Sequence, residues 1–181
     1  MKKATLSTRE IVFTALFAGI TAVLGLIMIP VYPVPVTGQS MGPMLAGSVL
    51  GGKLGALSLM VFDLLAAAGV PILSGGRGGL GILLGPTGGY ILSWPVAAFV
   101  IGKMLGKQEN RTLPKYILAN TIGGVVVIYA IGATWLALMQ GLDFRTAFVE
   151  GALIFLPGDA VKVIGASVIA RAFHRVYPKS F

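Results

Sequence analysis

The sequence predicts an all-α integral membrane protein, a single transmembrane domain over residues 1–181 with six membrane-crossing helices. Three observations predict this. Of the 181 residues, 56% are hydrophobic and 11% charged, against about 25% charged in an average soluble domain. The mean hydropathy is +0.90. The apolar residues fall in runs of about one bilayer thickness, divided by short turns, and a span takes about 20 residues. No long polar stretch remains for a second domain.

The first helix is placed at about 9–29, after a short basic N-terminus. Its apolar run is too long for a signal-peptide core and lacks a small-x-small cleavage site. It carries Ala15 and Gly19, and Ala18 and Ala22, each pair four apart. That spacing lets another helix approach closely, within this protein or from a partner. Residues 30–39 hold Pro30, Pro33 and Pro35, which forbid helix and favour an extended segment ending in Thr37 and Gln39. Two shorter helices follow at about 41–51 and 54–69, broken near Gly51-Gly52. Asp63 reads either as a buried functional acid or, the reading favoured here, as a residue near a helix end facing water.

From Gly75 to Tyr90, eight of sixteen residues are glycine and one is proline. Such a run is not expected to hold a regular helix. In lipid, irregular backbone survives only against protein or trapped water, so this loop reads as the wall or lid of a cavity. Helices at about 90–105, 116–139 and 146–173 complete the set, the last kinked at Pro157. Asn120 lies early in the fifth. Tyr90 and Trp94 read as apolar pocket walls or as interface anchors, the first favoured, and His174 as a solvated residue near the basic C-terminus.

Six spans put both termini on one side. That side then holds eleven cations: Lys2, Lys3, Arg9, Lys53, Lys103, Lys107, Arg111, Lys115, Arg171, Arg175 and Lys179. The other side holds Arg77 and Arg145. By the positive-inside rule both termini are cytoplasmic, and the proline segment and the glycine loop share the outer face. The net charge of +8 is read as topology and contact with anionic lipid heads, not as nucleic-acid binding.

The sharpest chemical signal is Pro157-Gly158-Asp159 with Lys162. An acid and a base three apart share a helix face. Each alone costs about 2.5–3.5 kcal/mol at mid-membrane, so they are expected to pair and point inward, at a functional site. Other chemistries are excluded. The absence of cysteine and a single histidine leave no metal site. Gly76 to Gly81 matches G-x-G-x-x-G but lacks the strand and the acidic residue of a dinucleotide site. No G-K-[ST] loop is present, so the chain does not itself hydrolyse ATP. No nucleophile stands beside Asp159 and Lys162, and no catalytic residue is assigned.

Three motifs carry a resemblance: Pro33-Val34-Pro35-Val36-Thr37-Gly38-Gln39, Gly85-Pro86-Thr87-Gly88-Gly89-Tyr90, and Pro157-Gly158-Asp159 with Lys162. In this order, over nearly the whole chain, the sequence resembles the BioY family. These are the biotin-specific substrate-binding S components of energy-coupling-factor (ECF) transporters. One departure is Phe62-Asp63, where the resemblance leads us to expect a tyrosine-like apolar position. The resemblance implies an S-component-like bundle in a bacterial or archaeal plasma membrane, with a vitamin pocket at the outer face. It implies a transmembrane T component and two ATP-binding subunits as partners, with Ala15, Ala18, Gly19 and Ala22 as the docking surface. Biotin is then the transported ligand, and no cofactor is expected. Asp159 suits the ureido N–H groups, and Lys162 the ureido carbonyl or the carboxylate. Gln39, Thr37 and Asn120 supply neutral bonds. Tyr90 and Trp94 cover the apolar parts, and the loop holding Gly85 and Thr87 meets the carboxylate. The competing readings are an S component for another small vitamin and an intramembrane enzyme using Asp159 and Lys162.

Overall fold

A capping box opens the first helix, α1 (Thr8–Leu24). The Ser7 hydroxyl accepts from the Glu10 amide, and the Glu10 carboxylate accepts from the Ser7 amide at 2.8 Å. The computed structural model from which this architecture is read describes residues 6–30, 34–106 and 111–177. Val31, Tyr32 and Pro33 of the proline segment therefore lie outside the described residues, as do Lys2, Lys3, Lys107 and Lys179.

After α1 the chain turns at Gly25 into a short antiparallel hairpin, β1 (Met28–Ile29) with β2 (Val36–Thr37), in the register Met28↔Thr37. Next comes α2 (Met41–Ala67), which doubles back at Gly51, where φ is 78° and ψ 178°. Such a positive φ is open to glycine at no steric cost. The two arms pack antiparallel: a Cβ on Gly55 would come within 2.9 Å of the Ala46 carbonyl carbon. The arms are about 15 and 24 Å long at 1.5 Å per residue.

The glycine-rich stretch contains α3 (Leu80–Leu83) and α4 (Gly88–Leu92), and α5 (Trp94–Leu105) continues from it. Helix thus begins inside a stretch expected to hold none. Gly88 and Gly89 occupy helical positions there because a Cβ would strike the Leu83 carbonyl at one and the Trp135 side chain at the other. Their glycines serve close approach rather than irregular backbone.

Helix α6 (Leu113–Thr121) runs through a π-helical segment (Ile122–Val127) into α7 (Ile128–Gln140). Asp143 caps α8 (Phe144–Gly151), and a single 3-10 turn (Leu153–Phe155) leads to α9 (Leu156–Val176). The kink expected at Pro157 lies instead upstream, at 152–155. Pro157 stands in the first turn of α9, where its missing amide needs no partner.

Among the described residues, four helical stretches are long and apolar enough to cross a membrane: Met41–Ala67, Gly88–Leu105, Leu113–Gln140 and Phe144–Val176. The first is the one folded at Gly51. The core holds Met44, Leu59, Phe62, Ile101, Leu105, Tyr116 and Leu136, while Val23, Leu64, Leu138 and Val161 point outward. Helices apolar on both faces are what a lipid solvent requires.

Two polar residues depart from expectation. His174 is not solvated but buried, at 8% exposure. Its Nδ1 lies 2.8 Å from the Tyr116 hydroxyl and its Nε2 3.2 Å from an Arg111 guanidinium nitrogen. Arginine can only donate, so Nε2 accepts and the neutral ring's N–H sits on Nδ1. Asp63 is also buried, and one of its carboxylate oxygens has no hydrogen-bond partner among the described residues.

Candidate functional site

Asp159 lies in the first turn of α9, at an end where the helix dipole favours a carboxylate. It is 4% exposed. Lys162, one turn on, places its Nζ 2.9 Å from Asp159 Oδ1 and 2.9 Å from the Ser40 hydroxyl. The Tyr129 hydroxyl donates to the second carboxylate oxygen, Oδ2. Acid and base are therefore paired with each other and held by α7 and by the loop entering α2.

These groups stand on the wall of a cavity whose empty space, counting the solvent at its open mouth, is about 660 Å³. One side is the segment from Val34 to Ser40. Another is Leu73, Ser74 and Arg77, from the loop after α2. The floor and walls are Ile82, Thr87, Tyr90, Ile91 and Trp94, with Ile128 and Tyr129 from α7 and Phe155 before α9. Most of the lining is apolar, and the charged groups, Arg77, Asp159 and Lys162, are few.

Seven sequence-predicted residues line this cavity: Asp159, Lys162, Gln39, Thr37, Tyr90, Trp94 and Thr87. Two do not. Gly85 turns its carbonyl away, to accept from the Trp135 indole at 2.8 Å. Asn120 is fully buried between helices, accepting from Ser48 at 3.0 Å and donating to Ser167 at 3.0 Å. It ties α2, α6 and α9 together, about eight residues along α9 from Asp159.

Gln39 lines the cavity but does not have its amide free. Nε2 donates to the carbonyls of Thr21 (3.3 Å) and Ile72 (2.7 Å), and Oε1 accepts from the amide and hydroxyl of Ser74 (3.0 and 2.7 Å). Both donors and both lone pairs are in use. At 2% exposure, Gln39 is a clasp joining α1, the proline segment and the loop after α2. Gln39→Ala strands four partners, three of them buried, and a buried group left unpaired costs about 1–3 kcal/mol. Amide hydrogen exchange at 34–40 and 72–77 is expected to accelerate at least tenfold in this variant, with the rest of the chain unchanged.

Tyr90 is anchored by its hydroxyl to the Gly151 carbonyl at 2.9 Å and meets Tyr129 edge-on, with ring centroids 6.4 Å apart. The sequence reading missed Tyr129, Ser40, Ser74 and Phe155, and assigned Arg77 no role. Arg77 uses Nε to hold the Ser74 carbonyl at 3.0 Å. Its terminal nitrogens make no hydrogen bond among the described residues. A lone arginine in an apolar loop was the available signal.

On α1, Ala15 and Gly19 face outward, with nothing within 4 Å of a Cβ built on Gly19. Ala22 is half-buried, and Ala18 is buried against the bundle. The two pairs are rotated by about 60° from each other on the helix, so they do not form one outward surface.

The sequence model of the BioY family matches residues 1–179. The chain belongs to the BioY family. A biotin transporter BioY of Rhizobium etli is 45% identical over 96% of this chain and 97% of its own length. A probable biotin transporter BioY of Pyrococcus horikoshii is 42% identical over 91% and 96%. Among solved structures, a 2.1 Å crystal structure of the S-component for biotin from an ECF-type ABC transporter superposes with a TM-score of 0.88. It is 32% identical, covering 94% of this chain and 95% of that one. BioY-family membership and the fold thus agree with the resemblance carried by the three motifs.

Proposed function

We propose that this chain is the biotin-capturing membrane component of a vitamin importer, and that the cavity bounded by Asp159, Lys162 and Arg77 is where biotin sits. The observation that carries this reading is one apolar cavity with an acid–base pair and an arginine on its walls. Biotin has matching chemistry. Its ureido ring offers two N–H donors and a carbonyl, its thioether ring is apolar, and its tail ends in a carboxylate. Asp159 accepts from the ureido N–H groups, and Lys162 donates to the ureido carbonyl. Trp94, Tyr90 and Phe155 cover the ring system. The terminal nitrogens of Arg77 take the carboxylate, with Thr37 and Thr87 as neutral donors. Charge-assisted bonds of this kind are the stronger class.

In this reading the six helices are α1, the two arms of the α2 hairpin and the three later stretches, and a hairpin that enters and leaves on one side keeps both termini together. The cation distribution supports a cytoplasmic location for both termini, with the cavity mouth outside. The outward face of α1, with Ala15 and Gly19, is the surface for a transmembrane partner subunit. ATP is hydrolysed by separate subunits of that assembly.

The test is a thermal shift of the detergent-purified chain against a panel of vitamins. A ligand that binds only the folded state raises the midpoint. Biotin is expected to raise it, and other vitamins to leave it unmoved; a shift with another vitamin alone overturns the biotin assignment. Asn120 provides a control. Asn120→Ala removes two interhelical bonds, each about 0.6 kcal/mol in membrane bundles. It is expected to lower the midpoint of the unliganded protein while leaving the biotin affinity within about twofold, since Asn120 is off the cavity wall.

A further inference from the structure

We propose that Tyr129 is a positioning residue for the ligand, acting through Asp159. This rests on the reading of the cavity as the biotin site. Tyr129 is buried on the cavity wall, and its hydroxyl donates to Asp159 Oδ2 while Lys162 holds Oδ1. The carboxylate is therefore fixed from two sides, by α7 and by its own helix. Each oxygen keeps a lone pair for a ligand donor. Without the Tyr129 hydroxyl, Oδ2 has no protein donor among the described residues. The carboxylate is then free to swing both oxygens onto the Lys162 ammonium and withdraw from the cavity.

The backbone is built for this contact. Asn120 on α6 and Tyr129 on α7 both reach α9, at Ser167 and Asp159. Nine residues of regular α-helix would turn those two side chains to opposite faces, since each residue turns about 100°. The π-helical segment Ile122–Val127 lies between them. With more residues per turn, it removes much of that phase difference. Such segments recur at functional sites. Tyr129 is held further by the Tyr90 ring, itself pinned to Gly151. The hydroxyl thus arrives at Asp159 already oriented, and a ligand does not have to order it.

A double-mutant cycle with titration of labelled biotin tests this on the full chain. Tyr129→Phe keeps the ring and its contact with Tyr90. It is expected to weaken biotin about tenfold or more, the scale of one hydrogen bond to a charged acceptor. In an Asp159→Asn background the same change is expected to add less than about twofold, because its effect passes through the carboxylate. A loss of equal size in both backgrounds contradicts the proposal, since that is what packing alone produces. No loss in either background contradicts it also. Were Tyr129→Phe not to fold, Tyr129→Trp, which keeps a ring and an N–H donor, is expected to retain more affinity than Tyr129→Leu; equal affinities overturn the proposal. If the unaltered chain binds no biotin, the biotin reading itself has failed, a result distinct from all of these.

Discussion

Asp159→Asn is expected to weaken biotin binding by about a hundredfold. The carboxylate is buried, and both of its oxygens are engaged by cavity groups, Lys162 and Tyr129. Asparagine has nearly the same shape but loses the charge, and one of its two terminal atoms becomes a donor facing other donors. Hydrogen bonds to charged groups contribute about 1.5–3 kcal/mol, and each 1.4 kcal/mol is a factor of ten in affinity. The change also takes away the opposite charge beside the part-buried Lys162, leaving it only neutral acceptors, and an uncompensated charge in such a place is strongly destabilising. Pairing the change with Lys162→Met separates the two effects. The double variant is expected to recover thermal stability, because no lone charge remains, yet not to recover affinity. Isothermal titration and thermal melts on the same preparations read both quantities.

The second large effect is far from the cavity. Gly102→Ala is expected to cost about 3 kcal/mol or more of folding stability. The α2 turn lies against α5 so closely that a Cβ on Gly102 would overlap the backbone of Gly51 and Gly52. Backbone cannot move aside as a flexible side chain can. Relief requires α5 to part from the turn, along an interface where small residues let the helices approach. Overpacking usually costs about 1–3 kcal/mol, and more where nothing yields. Gly158→Ala is the control. Gly158 lies in α9 with nothing within 4 Å of its missing Cβ, and alanine is the better helix former. It is expected to leave the melting point unchanged or slightly raised, whereas Gly102→Ala lowers it by many degrees.

The parts of this fold legible from sequence are those set by composition and by local rules. Apolar runs mark the helices, since a bilayer gives backbone no other partner. The rarity of charge in them singles out Asp159 and Lys162. What was not legible depends on contacts between distant residues. His174 reads as solvated because its partners, Tyr116 and Arg111, come about 60 residues earlier. Asn120 has the right chemistry for a ligand, but nothing local says that Ser48 and Ser167 already use it. Gln39 was read as a hydrogen-bonding group for a ligand, whereas its bonds go to the protein. Tyr129 was hidden for another reason. A regular helical period turns it away from the face that Asn120 shows to α9, and a π-helical segment leaves no mark that a count of residues detects. Pro157 misled because proline is compatible both with a kink and with a helix start. Only the break at 152–155 decides between them.

The most direct test of the account is equilibrium binding of labelled biotin to the purified full chain, with and without Asp159→Asn. The account predicts saturable uptake of one biotin per chain, displaced by excess unlabelled biotin and lost in the variant over the range that saturates the unaltered protein. Undiminished binding in the variant would contradict the cavity as the biotin site, and no binding by the unaltered chain would contradict biotin as its ligand.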